Sequence, residues 1–168
     1  EEISHAGDGG LYAELVENRG FEEHVLPSSM TYVDGRAVAV DSPNYEHRVN
    51  RRWSIDWNME RKKYQGWKMQ AKSAVAKATV VEAELPLHEN TPNAMRLDIT
   101  SVEKGGKVVL TNTGYWGMGL KSGAKYDLRF YVRSDNYKGG ITARISDSKT
   151  GSTYGYVEFK KRKIKEWT

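Results

Sequence analysis

Apolar and polar residues alternate over several short segments of this chain, which is the pattern of β-strands with one buried face. The most regular alternation spans residues 126–132, where Tyr, Leu, Phe and Val occupy every second position. A shorter apolar run over 107–111 follows Gly105-Gly106, a pair that we interpret as a hairpin turn. Further strands are predicted over 75–83, 95–99, 141–145 and 153–159.

These strands predict a mainly β fold. They follow one another without alternating helices, so we expect antiparallel pairing in a β-sandwich or barrel. One short N-terminal helix is predicted, because apolar residues recur at helical spacing over 11–16 and Gly20 follows as a C-terminal stop. Residues 41–68 are polar, aromatic and basic without a steady period, and we interpret them as a long loop with at most one or two short strands.

Length and composition narrow the classes of protein to consider. The 168 residues suffice for one ordinary domain but not for a barrel enzyme with an added module. The chain begins at Glu1 without methionine and ends at Thr168 within an apparent strand, so we expect a piece of a longer protein. The absence of cysteine excludes disulfides, zinc–thiolate sites and thiol nucleophiles. No apolar stretch reaches the roughly 20 residues of a membrane span, and no signal peptide is visible.

The clearest candidate for binding chemistry is a group of aromatic residues within the basic segment: Trp53, Trp57, Tyr64 and Trp67. Aromatic faces of this kind stack on sugar rings or on nucleic-acid bases, while neighbouring polar groups bond hydroxyls or phosphates. The alternative is that some of these rings belong to the core, and Trp67 is the strongest candidate for that role. The net charge of +4 does not by itself favour a nucleic acid.

A second candidate is the segment 112–118, in which glycines flank Tyr115 and Trp116 between two predicted strands. It is either a loop that presents an aromatic platform to a ligand or a tight connection that packs against a neighbour. The residue types leave both interpretations open.

Two charged clusters have simpler explanations than catalysis or nucleic-acid binding. Glu1, Glu2, His5 and Asp8 precede Gly9-Gly10 and could serve acid–base or metal chemistry, but a solvated terminus near a helix start is favoured. The basic run 160–165 resembles a nucleic-acid patch, but it continues a predicted strand, where lysines commonly protect an exposed edge. The sequence contains no phosphate-binding loop, nucleophile elbow or zinc-protease motif.

Two parts of the chain resemble one family. Residues 1–15, with Gly9-Gly10-Leu11-Tyr12, resemble the start of the catalytic barrel in α-L-arabinofuranosidases of glycoside hydrolase family 51. Residues 86–97, 112–118 and 123–133 resemble the module that interrupts the barrel of these enzymes, which is similar to carbohydrate-binding modules of the family 4/9 type. The segment 15–22 fits the join between the two.

The resemblance implies a division into barrel residues 1–20 and a jelly-roll, galactose-binding-like module over 21–168, truncated at its C-terminus. It implies that Glu1 matches a glutamate that binds arabinose in the active site. The family's catalytic acid/base lies in an Asn-Glu pair, and no such dipeptide occurs here, so we expect this piece to be inactive. The sugar-binding candidates remain Trp53, Trp57, Tyr64, Tyr115 and Trp116.

The expected function is that of a non-catalytic module of a secreted or periplasmic arabinofuranosidase that acts on arabinose-containing polysaccharide. A purely structural module packed on the barrel is the alternative, and nucleic-acid binding through 48–68 and 160–165 is a weaker one. No catalytic cofactor is expected. Jelly rolls of this type often hold a structural calcium ion, but the sequence identifies no ligands for it.

Overall fold

The computed structural model describes residues 15–26, 28–39, 55–159 and 167. These residues form mainly antiparallel strands with little helix, which confirms the predicted mainly β class. The chain divides into two compact units, Glu1–Met118 and Gly119–Thr168. The predicted boundary after Gly20 concerns two parts of a parent protein and stays a prediction. No helix in the described part of the chain is long and apolar enough to cross a membrane.

The first unit contains a small antiparallel sheet of β1 (Met30–Val33), β2 (Arg36–Ala39) and β3 (Ile55–Asp56), with β2 in the centre. Asp34 and Gly35 connect β1 to β2 with φ angles of 45° and 80°, the left-handed conformation that tight hairpins require. Ala37 and Val38 in the central strand are fully buried. The core of this unit therefore includes the middle of a sheet that the periodicity did not predict.

A short helix, α1 (Met59–Lys63), follows β3. The Asn58 side chain caps it by accepting a hydrogen bond from the Arg61 N–H at 2.8 Å. Glu60 in the first turn and basic residues in the last turn suit the helix dipole. The prediction that residues 41–68 contain no helix was wrong, because capping and charge rather than an apolar stripe define this helix. Of the predicted N-terminal helix, residues 11–14 lie outside the described residues, and 17–20 form turns.

The longest element of the first unit is an antiparallel ribbon of β4 (Trp67–Glu82) and β5 (Asn93–Asn112). Small and branched apolar residues share one of its faces, since Ala76, Ala78 and Val80 pair with Ile99, Leu97 and Met95. Val80 is only 8% exposed. The predicted strands over 75–83 and 95–99 are confirmed within this ribbon.

Gly105-Gly106 forms a bulge inside β5, not the predicted hairpin turn. Residues 103–106 stand against Ser73 alone, between the pairs Lys72↔Lys107 and Ala74↔Val102. A Cβ atom on Gly106 would lie 2.2 Å from the Ser73 carbonyl oxygen, so only glycine permits this close approach. The apolar run over 107–111 consequently continues the strand that contains Leu97.

The second unit contains a hairpin of β6 (Ile141–Ser146) and β7 (Thr153–Phe159), which confirms the two strands predicted over 141–145 and 153–159. Its turn is organised by Asp147, whose Oδ1 accepts hydrogen bonds from the N–H groups of Lys149 (2.8 Å) and Thr150 (2.6 Å). The Asp147 N–H donates to the Ser152 carbonyl at 2.8 Å, which closes the loop. The hairpin is thus held by local bonds at its tip as well as by its ladder.

The prediction of a strand over 126–132 was wrong for the described structure. These residues are described, and none of them belongs to a strand. Alternating apolar residues give a segment one apolar face, but a β-strand also requires a hydrogen-bonded partner strand. In the described part of this unit only β6 and β7 pair. Phe130 nevertheless packs edge-on against Phe159, with ring centroids 5.0 Å apart. The sandwich arrangement stays a prediction.

Candidate functional site

The best candidate for a ligand-binding surface is the aromatic loop, residues 112–118, that follows β5. Tyr115 and Trp116 lie side by side with ring centroids 6.1 Å apart and an interplanar angle of 39°. Trp116 is 85% exposed and Tyr115 37%. Large aromatic side chains are usually mostly buried. The high exposure of Trp116 therefore indicates a surface that binds a ligand or packs on another part of a protein.

Asn112 fixes the start of the aromatic loop. Its Oδ1 accepts hydrogen bonds from the Gly114 N–H at 2.9 Å and from the Glu17 N–H at 3.2 Å. Its Nδ2 donates to the Glu17 carbonyl at 2.8 Å. A Cβ atom on Gly114 would lie 2.7 Å from the Leu15 carbonyl oxygen, and the φ of Gly114 is 69°. The loop is therefore held tightly against the segment that begins at Leu15, while its aromatic rings stay accessible.

Trp57 makes contacts within the first unit that fix its side chain. Its indole N–H donates to the His24 carbonyl at 3.3 Å, and the Lys62 ammonium lies 4.9 Å from the ring centroid. The ring is half-buried. Tyr64, at the C-terminal cap of α1, is also half-buried. The structure brings Tyr115 and Trp116 together in the aromatic loop and places Trp57 and Tyr64 beside α1. Trp53 lies outside the described residues.

Trp67 packs against other residues of the first unit, but it is half-buried and does not belong to the fully buried core that was predicted for it. It packs on Phe21 with ring centroids 5.4 Å apart. Its indole N–H donates to the Asn18 carbonyl at 3.0 Å. The Trp67 ring is half-buried and lies at the first residue of β4, where it connects the ribbon to the segment around Asn18.

Asn18 is a buried polar residue that the sequence reasoning did not single out. It is 4% exposed and has a left-handed φ of 52°. Its Nδ2 faces the carbonyl oxygens of Lys62, Lys63 and Gln65 at 3.4, 3.1 and 3.2 Å, and its Oδ1 accepts from the Glu23 N–H at 3.3 Å. Asn18 thereby donates to carbonyls at and just beyond the C-terminal end of α1, where the regular i+4 donors of the helix run out. Asparagine before Arg-Gly is a turn signal, but its partners some 45 residues away have no sequence signature.

Glu22 provides a second connection between the N-terminal segment and the ribbon. Its Oε1 accepts a hydrogen bond from the Asn93 N–H at 3.0 Å, and its Oε2 accepts from the Asn93 side-chain amide. Asn93 is the first residue of β5 and Asn112 is the last. Both ends of this strand are therefore bound to residues 17–22, which the sequence placed at the join between barrel and module.

The most perturbed carboxylate in the described chain belongs to Asp147. Hydrogen bonds from the Thr150 N–H, the Tyr154 hydroxyl and the Lys149 N–H lower the pKa of Asp147 from 3.8 to about 2. The same contact raises the pKa of Tyr154. On α1, the hydrogen bond and charge of Lys63 lower the pKa of Glu60. Glu60 and Tyr154 are exposed and Asp147 is half-buried in its own turn, so hydrogen bonds within the turn and the helix account for the shifts.

Several predicted site residues fall outside the described residues: Glu1, Glu2, His5, Asp8, Trp53 and the basic run 160–165. The proposed roles of Glu1 and Trp53 therefore stay predictions. Within the described ranges, no group of three or more His, Asp or Glu residues is arranged to hold a metal ion.

Parts of several larger proteins are similar to this chain. It is 28% identical over 156 residues to α-L-arabinofuranosidase A of Aspergillus kawachii, and the aligned region covers 92% of this chain and 18% of that protein. It is 28% identical over 160 residues to the probable α-L-arabinofuranosidase A of Aspergillus terreus, covering 95% of this chain and 18% of the relative. With α-L-arabinofuranosidase 1 of Arabidopsis thaliana, identity is 34% over 137 residues, covering 80% of this chain and 15% of the relative.

The chain thus spans less than a fifth of the length of these relatives. No protein-family profile matches it. No solved structure matches it either.

Proposed function

We propose that this chain is a non-catalytic, carbohydrate-binding module of an α-L-arabinofuranosidase of glycoside hydrolase family 51, preceded by the first residues of the catalytic barrel. The proposal rests on one observation: nearly the whole chain is similar to a small part of several arabinofuranosidases. The parent enzyme would remove arabinofuranosyl side chains from plant polysaccharides in a secreted or periplasmic compartment. The module would adopt the jelly roll expected from its resemblance to family 4/9 modules.

The aromatic loop supports a binding role. A flat ring such as Trp116 offers a large apolar face at small conformational cost, and sugar rings present apolar C–H faces that stack on it. Tyr115 beside it adds a second ring with a hydroxyl that can bond sugar hydroxyls. Asn112 holds the loop in place before a ligand arrives, which reduces the ordering cost of binding.

The proposal assigns no catalysis to this chain. Hydrolysis of a glycosidic bond requires two carboxyl groups on opposite sides of the bond, about 5–10 Å apart. The family's acid/base belongs to an Asn-Glu pair that this sequence lacks. Glu1 would bind arabinose only in the complete active site. We therefore expect no release of arabinose by this chain and propose no catalytic cofactor.

Binding of a structural calcium ion would raise the melting temperature of the chain when calcium chloride is added.

Affinity electrophoresis in gels that contain arabinoxylan or arabinan tests the binding role. We expect slower migration than in a glycan-free gel. Trp116→Ala should weaken the apparent affinity about tenfold, about 1.4 kcal/mol, which is the scale of truncating an aromatic residue at the centre of a binding surface. Trp116→Phe should retain most of it. Tyr32→Ala is the matched control, because it removes another exposed aromatic ring, 46% exposed, from β1 of the same unit. Wild-type migration equal to that in the glycan-free gel would contradict binding.

The exposed Trp116 also favours a second candidate, a structural module that uses the aromatic loop to pack on the rest of the enzyme. In that case the wild-type chain shows no retardation, and Trp116→Ala lowers the melting temperature of the full-length enzyme. Under the binding proposal the same substitution leaves that melting temperature nearly unchanged, because the ring faces solvent.

A further inference from the structure

The β6–β7 hairpin has two chemically different faces. Directly opposed residues of an antiparallel pair lie on the same face. Ile141, Ala143 and Ile145 pair with Phe159, Val157 and Gly155, which gives one face suited to packing. Arg144 pairs with Tyr156 and Thr142 with Glu158, which gives the other face a tyrosine set among hydrogen-bonding side chains.

Tyr156 is the centre of this second face. It is 69% exposed, and Arg144 and Glu158 next to it are also exposed. The accessible Tyr156 ring provides a stacking surface. The Arg144 guanidinium opposite it provides hydrogen-bond donors, and the Glu158 carboxylate, two residues along the strand, provides acceptors. The apolar face of the tyrosine ring can stack on the C–H face of a sugar, while the guanidinium donates to its hydroxyls and the carboxylate accepts from them.

Tyr154 extends the aromatic surface toward the turn. It is 67% exposed and is the unopposed residue at the irregularity between Ile145 and Ser146. Its hydroxyl donates to Asp147 Oδ2 at 2.9 Å, and Asp147 is itself held by the turn N–H groups. The orientation of this ring is therefore fixed in the absence of a ligand.

We propose that Tyr156, with Arg144, Glu158 and Tyr154 around it, forms a second glycan-binding surface for an extended neutral polysaccharide chain. This inference rests on the proposed carbohydrate-binding function and adds a site in the second compact unit. Tyr154 and Tyr156 are two residues apart, roughly 6–7 Å along a strand, so they meet successive rings of a chain rather than one terminal sugar. Arg144 and Glu158 have opposite charges, which favours a neutral ligand over a polyanion.

The test uses the 168-residue chain and isothermal titration with debranched linear arabinan and with linear xylan oligosaccharides. We expect Tyr156→Ala to weaken binding about tenfold and Tyr156→Phe to weaken it less than threefold, because the ring is retained. Tyr131→Ala is the matched control, since Tyr131 is 62% exposed in the same unit but lies outside the hairpin. Arg144→Ala provides a second variant at the same face. Circular dichroism verifies that each variant folds.

The possible outcomes separate this inference from the proposed function. If Trp116→Ala weakens binding while Tyr156→Ala and Arg144→Ala do not, the second surface is overturned and the proposed function stands. If the wild-type chain binds none of these glycans, both are overturned. Free arabinose binding as tightly as the oligosaccharides would contradict an extended site, and an affinity that falls steeply with salt would contradict a neutral ligand.

Discussion

The side-chain amide of Asn112 pairs with the backbone of Glu17 as a second strand would. Its Nδ2 donates to the Glu17 carbonyl at 2.8 Å and its Oδ1 accepts from the Glu17 N–H at 3.2 Å. Two residues 95 positions apart are thus joined by a reciprocal pair of hydrogen bonds. Because Asn112 also accepts from the Gly114 N–H, the same amide connects the backbone of Glu17 to the aromatic loop.

Asn112→Asp should remove the hydrogen bond that Asn112 donates to Glu17 and keep the one that it accepts. The substitution preserves shape and the acceptor Oδ1, but it places a carboxylate oxygen against the Glu17 carbonyl, where a donor stood. We expect a loss of about 1–3 kcal/mol in the free energy of unfolding, measured by urea denaturation, together with weaker glycan retardation. Asn136→Asp, at an exposed site, makes the same change in charge and should alter stability by less than about 0.5 kcal/mol. Equal stabilities for the two variants would show that the Nδ2 bond is not formed.

Asn18→Gly should destabilise the first unit by about 2 kcal/mol. Glycine accepts the left-handed φ of 52° without strain, so the substitution isolates the side-chain hydrogen bonds to the end of α1 and to Glu23. Asp34→Gly is the control, because Asp34 has a similar φ of 45° in an exposed turn. Thermal unfolding followed by circular dichroism compares them. A control as destabilised as Asn18→Gly would refute the role of the buried amide.

Gly66→Ala and Gly105→Ala form a pair that separates backbone strain from steric contact. Both glycines have a φ of 77°, so alanine meets the same conformational penalty of about 1–2 kcal/mol at each. At Gly66 the added Cβ would also lie 2.8 Å from the Glu17 Cβ, whereas nothing lies within 4 Å of it at Gly105. We expect Gly66→Ala to be the more destabilising by at least about 1 kcal/mol in urea denaturation. Indistinguishable midpoints would mean that Glu17 does not pack against Gly66.

Local sequence signals predicted part of the fold. Alternation identified the strands around Leu97, Ile141 and Val157, and the Asp34-Gly35 pair between short apolar runs is a hairpin signal that would have identified β1 and β2. Where alternation failed, over 126–132, the missing factor was a partner strand, which no local pattern specifies. The prediction of a hairpin turn at Gly105-Gly106 was wrong because glycine is favoured both in β-bulges and in hairpin turns.

The candidate site was predicted only in its exposed portion. Tyr115 and Trp116 were singled out by residue type and flanking glycines, and the structure leaves Trp116 accessible. Trp57 is instead engaged by His24 and Lys62, contacts that depend on the path of the chain between distant segments. Asn18 was missed for the same reason, and the segment 112–118 was singled out without the anchoring role of Asn112, because a single asparagine becomes informative only when its partners are known.

The β6–β7 turn should have a measurable dependence on pH. Hydrogen bonds to the ionised form of Asp147, from the Thr150 N–H first and then from Tyr154 and Lys149, lower its pKa to about 2. The favourable contribution of the ionised group is therefore complete above the unfolded value, about 3.9, and is lost as the pH falls through about 2. Tyr154→Phe removes the hydroxyl that donates to Asp147 Oδ2, and we expect the Asp147 pKa to rise toward its ordinary value while the backbone bonds keep it below that value. Carbon-13 NMR titration of the Asp147 carboxyl measures both values, with Tyr156→Phe as the control that should leave them unchanged. A wild-type carboxyl that titrates near 4 would contradict the hydrogen-bonded turn, and with it the fixed orientation of the Tyr154 ring.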